Sequence, residues 1–188
     1  VLAKKSANSL VEGSIVMATG VMYLRLLIIV AIFNFSLAEE LALPFISLFL
    51  ISFAIFMFLK ERGEDMKTDF NSNPLELQVA FIFAGLFIVM AGITQFITIH
   101  FGNMGLQILS SIVGFTDIDP FILSLIQGKY SVSDSDLIQA ILIAVASNNI
   151  LKAIYAGMFS KWKMKKAFWN LIILAGFTLV WVGYFYIF

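Results

Sequence analysis

Apolar runs of membrane-spanning length recur along the whole chain, separated by short polar or charged stretches. A helix needs about 20 apolar residues to cross a hydrocarbon core about 30 Å thick. Residues 10–33 and 41–59 meet that requirement, and a charged stretch at 60–73 leads to a third run at 74–98. That run opens on Asn73-Pro74, a capping residue followed by a proline at the first helical position, where its missing N–H costs nothing. A fourth run covers 104–127. A fifth covers 137–159 after a polar turn with Ser133, Asp134 and Asp136, and a last covers 167–188 after Lys161-Trp162-Lys163-Met164-Lys165-Lys166. Trp162, Trp169, Trp181, Tyr184 and Tyr186 fall near run ends, as an interfacial aromatic belt would.

The fourth run carries Gly114-Phe115-Thr116-Asp117-Ile118-Asp119-Pro120 in its middle. Charge at bilayer depth is expensive, so two carboxylates there point to an ion or proton pathway or to a buried pair. Pro120 biases Asp119 away from helix and suits the start of a new one, with Asp119 as its cap. The flanks, 104–113 and 120–127, would rise roughly 15 Å and 12 Å, each about half a hydrocarbon core. The pattern predicts a re-entrant hairpin; the alternative is one kinked crossing and six full spans.

Charge distribution separates the two. A full crossing puts Lys4, Lys5, Lys60, Arg62, Lys67 and Lys129 on one side and Lys161, Lys163, Lys165 and Lys166 on the other. A returning hairpin leaves Lys129 alone and gathers all the others on one face. The positive-inside rule favours that arrangement: an all-α polytopic membrane protein of about five spans plus a broken fourth segment, N-terminus cytoplasmic and C-terminus outside.

Composition agrees. The chain is 61% hydrophobic and 13% charged with mean hydropathy +0.97, more apolar surface than a soluble domain of 188 residues can hide. Without cysteine there is no disulfide framework or thiolate metal site, and zero net charge gives no reason to expect nucleic acid. Lys4 and Lys5 precede a run too long for a signal-peptide core, which reads as a retained span. The opening Val1 suggests the end portion of a longer polypeptide.

In an extended break, residues i and i+2 point to one side, so Asp117 and Asp119 are expected to converge on a hard divalent cation such as magnesium, or on a shared proton. Thr116 adds a hydroxyl. Asn148, Asn149 and Lys152 share a broad face of the fifth span. A mid-span lysine needs a partner, and the two aspartates are the candidates. Arg25, two-thirds along the first span, either snorkels to the interface or joins them; Glu12 is expected at the interface. If Arg25, Lys152, Asp117 and Asp119 meet, their charges cancel, and an incoming cation must displace a positive charge or a proton. Gln107, Ser110 and Ser111 could line a polar path. The spacings Ser110-xxx-Gly114 and Ala153-xxx-Gly157 permit close helix approach. The structural alternative is a helix cap at the hairpin and a static Lys–Asp pair. No enzyme is expected: no nucleophile–histidine pair stands out, and both aspartates lie in one short stretch instead of on facing helices.

The ordered set Lys4-Lys5-Ser6, Met22-Tyr23-Leu24-Arg25, Asn73-Pro74-Leu75-Glu76-Leu77, Gly102-Asn103-Met104-Gly105, Gly114–Asp119 and Ser147-Asn148 with Lys152 resembles one family across nearly the whole chain. It is the prokaryotic membrane domain of unknown function found behind MgtC/SapB-type domains. The resemblance implies a bacterial or archaeal cytoplasmic membrane and an N-terminal MgtC/SapB-like half as partner, but no catalytic residues. Pro120 departs from the family pattern, where a small residue such as alanine is expected. Two functions are therefore expected: an ion-translocating domain, or a non-transporting regulatory or assembly domain binding a partner membrane protein or a second copy through its small-residue faces.

Overall fold

The computed structural model describes residues 2–60, 77–128, 130 and 132–187. These form six helices: α1 (Leu2–Phe33), α2 (Phe35–Lys60), α3 (Leu77–Val113), α4 (Ile118–Gln127), α5 (Asp134–Phe159) and α6 (Lys165–Ile187). All but α4 are long and apolar enough to cross a membrane; α4, with 10 residues, is about 15 Å long and reaches half-way. The protein is thus a polytopic all-α membrane protein with five spanning helices. Asn73, Pro74, Glu76, Arg62, Lys67 and Lys129, with the expectations placed on them, lie outside the described residues.

Two boundaries differ from expectation. The second span begins at Phe35, because the Asn34 side chain accepts the Leu37 N–H at 3.1 Å and starts α2 directly after α1. Glu39 and Glu40 then fall near the N-terminal end of α2, where negative charge complements the helix dipole. The loop expected between the third and fourth runs shrinks to one residue, Gly102, whose φ of 57° and ψ of −146° interrupt α3. That backbone is open to glycine and strained for other residues. The chain folds back there: a Cβ on Gly105 would lie 2.9 Å from Ile97 Cγ2 and collide with Phe101. No straight helix brings those positions so close. Residues 103–113 therefore form a half-helix beside the end of the preceding span.

The half-helix aligns with the first half of α5. Asn103 Nδ2 donates to Asp136 Oδ2 at 2.7 Å and Gln107 Nε2 to Gln139 Oε1 at 3.2 Å. Ser147 Oγ donates to the Ser111 carbonyl at 2.6 Å, and Asn148 Nδ2 to the Gly114 carbonyl at 3.3 Å. The sequence separations of 33, 32, 36 and 34 stay nearly constant, which is the signature of two parallel segments. The tip at Gly114 thus sits against Ser147 and Asn148, at the middle of the 26-residue α5. From there α4 turns back, with its Ser124 hydroxyl 3.4 Å from that of Thr94 on α3. This is the re-entrant hairpin, ending half-way along the bundle.

Helix α5 is the bundle's axis: 72% of its apolar 18-residue stretch is buried, against at most 33% for the corresponding stretch of the other four spanning helices. It starts on a capping box, with Ser133 and Asp136 satisfying each other's backbone N–H groups. Helices α1 and α2 pack antiparallel, Ser9 donating to the Leu59 carbonyl at one end and Tyr23 stacking on Phe45 further along. Helix α6 runs back along α5, its Phe185 carbonyl accepting from Ser135 and Gln139. Glu12, expected at the interface, is buried and accepts the Lys166 N–H at 3.1 Å, capping α6.

Gly114 shows why this packing needs a small residue. A Cβ there would lie 2.6 Å from the Ala144 carbonyl and collide with Ser147. Overpacking of this kind costs about 1–3 kcal/mol. Gly114→Val is therefore expected to lower the unfolding temperature in detergent by several degrees, whereas Gly176→Val, with open space around its Cβ, leaves it unchanged.

Candidate functional site

The hairpin tip brings charged groups from three helices to one level. Arg25 of α1 donates through Nη2 to both carboxylate oxygens of Asp119, at 2.7 and 2.6 Å. It is the ion pair found among the described residues, and Asp119 is the better buried partner, with 18% of its side chain accessible against 56% for Arg25. The pair lies close to the middle of α5, because Tyr23, two residues before Arg25, accepts a 2.8 Å hydrogen bond from Asn149 Nδ2. Charge-assisted bonds of this length are strong where lipid and protein exclude bulk water.

Three expectations about this cluster are corrected. Asp117, not Asp119, caps α4: its backbone is extended (φ −93°, ψ 116°), and its Oδ1 accepts the Asp119 N–H at 3.1 Å. Pro120 lies inside the first turn, where backbone N–H groups have no intrahelical acceptor and proline removes no bond. Asp119 is consequently helical, and the side-by-side projection expected of two residues in an extended break does not apply. Third, the basic partner of Asp119 is Arg25 and not Lys152, so Arg25 does not snorkel away. Lys152 instead places Nζ 2.9 Å from Met22 Sδ, a weak acceptor, while remaining within electrostatic reach of Asp119 and Arg25.

Arg25, Asp117, Asp119, Asn148 and Lys152 line one cavity of about 370 Å³, closed by Ala18, Val21, Met22 and Ile118. The formal charges of its two basic and two acidic residues cancel. Thr116 is turned away, donating to the Val113 carbonyl at 2.9 Å, and Asn149 is turned toward Tyr23. Both asparagines are buried, and their Oδ1 atoms have no hydrogen-bond partner. An orphaned buried carbonyl oxygen is costly and marks a place for a cation or a water. The acidic groups number only two: among the described residues no cluster of three or more His, Cys, Asp or Glu side chains could hold a metal. A divalent ion here would need Asn148 Oδ1 and water beside Asp117, and would compete with Arg25 for Asp119.

Two features adjoin the cavity. On the Gly102 side, the Asn103–Asp136, Gln107–Gln139 and Ser111–Ser147 bonds form a polar ladder along the half-helix. Toward the other side, a second cavity of about 400 Å³ runs between α1 and α5, from Lys152 past Ile15 and Ala156 to Ser160 and Met164. Lys152 borders both cavities. Sequence reasoning missed this groove and the role of Met22 and Tyr23; the Met22-Tyr23-Leu24-Arg25 run held the signal but did not reveal its facing helix.

A helical membrane protein with a charged, half-depth hairpin is the class these features define. Within it, the chain belongs to the family described as Domain of unknown function (DUF4010), whose pattern matches residues 2–160. It is also 35% identical over 147 residues to a protein of Aquifex aeolicus (strain VF5) described as "Uncharacterized protein", a match covering 74% of this chain and 61% of that relative. No solved structure matches the chain.

Removing one member of the ion pair strands the other in a poorly solvated site, whereas removing both does not. Arg25→Gln and Asp119→Asn are each expected to lower thermal stability in detergent, and the double variant by less than the sum. The coupling should be about 0.5–3 kcal/mol in a double-mutant cycle. Additive losses would show that the pair contributes nothing.

Proposed function

We propose that this chain is an ion-translocating domain of a bacterial or archaeal cytoplasmic membrane, moving a proton or a divalent cation through the cavity bounded by Asp117 and Asp119. The observation that carries the reading is the Arg25–Asp119 pair at the tip of a half-depth hairpin, inside a cavity that also holds Lys152. A pair needed only for packing would be closed off by apolar side chains. This one is lined by four charged side chains and shares Lys152 with the α1–α5 groove.

The resting cavity is neutral. A proton or cation arriving at Asp119 releases Arg25 and adds a positive charge to a low-dielectric site, which is unfavourable until a positive charge leaves. Lys152, held only by a thioether, supplies that step by swinging into the groove or giving up its proton. Movement of one ion is thereby coupled to a change at a fixed countercharge, which suits a carrier better than an open pore. Asp117 adds the second carboxylate, and the unpartnered oxygen of Asn148 adds a neutral ligand. The sequence resemblance implies an MgtC/SapB-like half, and we propose a domain of that kind as the partner of this chain.

Proteoliposomes loaded with pH-sensitive or magnesium-sensitive dye test the reading. Asp119→Asn should lower flux at least tenfold, about 1.4 kcal/mol in barrier. Asp117→Asn is informative because asparagine still caps a helix; loss of flux there reports the charge and not the fold. Equal flux in wild type and both variants, over protons and a panel of divalent ions, would remove the proposal and leave the assembly role.

A further inference from the structure

The end of the bundle that carries Lys60 and residues 160–166 holds a site unconnected with the hairpin. A groove of about 480 Å³ lies between the end of α2 and the start of α6, walled by Ala54, Ile55, Phe58 and Leu59 on one side and by Lys165, Lys166, Trp169 and Asn170 on the other. Its volume is within the range of roughly 300–1,000 Å³ usual for small-molecule sites. The long wall is apolar and the polar groups gather at one end, where α2 finishes at Lys60 and α6 begins at Lys165. A ligand filling this space must be apolar along most of its length and anionic at the end facing the lysines.

Position decides which ligand. Helix ends with lysines and an exposed tryptophan mark the level of lipid headgroups, and Trp169 is 61% exposed. Lys60, Lys161, Lys163, Lys165 and Lys166 cluster at this end, and none of them is in an ion pair among the described residues. The one buried acid beside the groove, Glu12, is already committed to the Lys166 backbone N–H. The α6 N-terminus is therefore capped, and the lysine side chains are left to face an anion from outside.

We propose that this groove binds an anionic phospholipid, its phosphate held by Lys165 and Lys166, its glycerol region beside Asn170 and one acyl chain lying against Ile55, Phe58 and Trp169. Each lysine near a membrane surface contributes enough attraction that two should give roughly a tenfold preference over a zwitterionic lipid. The proposal is independent of transport at the hairpin, and its test reads lipid binding alone.

A chain carrying Trp162→Phe and Trp181→Phe leaves Trp169 as sole tryptophan, beside the groove. In vesicles containing brominated phosphatidylglycerol or brominated phosphatidylcholine at equal mole fraction, the anionic lipid should quench Trp169 at roughly a tenfold lower fraction. K165Q/K166Q should abolish the difference while leaving quenching by phosphatidylcholine intact. Native mass spectrometry of the unaltered chain gives a second reading: phosphatidylglycerol should stay bound at energies that strip phosphatidylcholine, and less so in K165Q/K166Q. Equal quenching by the two lipids would overturn the site. So would an anionic preference that survives K165Q/K166Q, which would assign it to basic residues elsewhere. Displacement of the lipid by inorganic phosphate would also overturn it, as it would show a bare anion site in which the apolar groove has no part.

Discussion

An unpaired charge at the middle of a bilayer is costly, and the Arg25–Asp119 ion pair is how this chain meets that constraint for two of the four charges at its hairpin tip. The pair joins positions 94 residues apart and pins the tip of the hairpin to α1. The close approach of Gly114 to α5 and the Asn148 bond to the Gly114 carbonyl hold the same tip from another direction. With its tip fixed half-way, the hairpin must return, and Gly102 and the end of α4 fall on one side. Non-helical backbone at that depth is tolerable because it is enclosed by α1 and α5 or borders a polar cavity. The hairpin and the cavity at its tip follow from one electrostatic requirement.

Much of the architecture could be read from the chain because lipid imposes a simple rule on length and polarity. The long spans and the break within 104–127 were legible, while the meeting of Arg25 with Asp117, Asp119 and Lys152 around one space was only one of two readings open for Arg25. The pairing within that space was not legible. Sequence gives a lysine in the middle of a helix but not the rotation of its neighbour. It could not reveal that Arg25 reaches Asp119 first and leaves Lys152 beside Met22. The cap was misplaced for a related reason. Proline's effect on its predecessor favoured Asp119, yet an aspartate two positions earlier can bond forward to the Asp119 N–H and begin the helix sooner. The start of α2 was missed because the apolar run begins at Leu41, past Glu39 and Glu40, whereas the helix starts where the Asn34 side chain accepts the Leu37 N–H.

The cluster separates two jobs that a polar membrane site must do. Asn149 with Tyr23 and Ser147 with Ser111 are hydrogen-bonded pairs that hold helices together. Asp117 and Lys152 bring charge to the cavity outside the Arg25–Asp119 pair, and the buried Oδ1 atoms of Asn148 and Asn149 are left without a partner beside it. That imbalance is what a purely structural polar network avoids, since each unsatisfied buried group costs stability. Membership of the DUF4010 family brings no activity with it, so the chemistry rests on these side chains.

The returning hairpin is the claim on which the rest stands, and a single distance tests it. The chain has no cysteine, so nitroxide labels can be placed on cysteines introduced at the exposed positions Met104 and Gln127, and their separation measured in lipid nanodiscs by electron paramagnetic resonance. A segment that dips in and returns should give under about 20 Å, one or two helix diameters. A separation near the roughly 36 Å that 24 residues of continuous helix would span would contradict it.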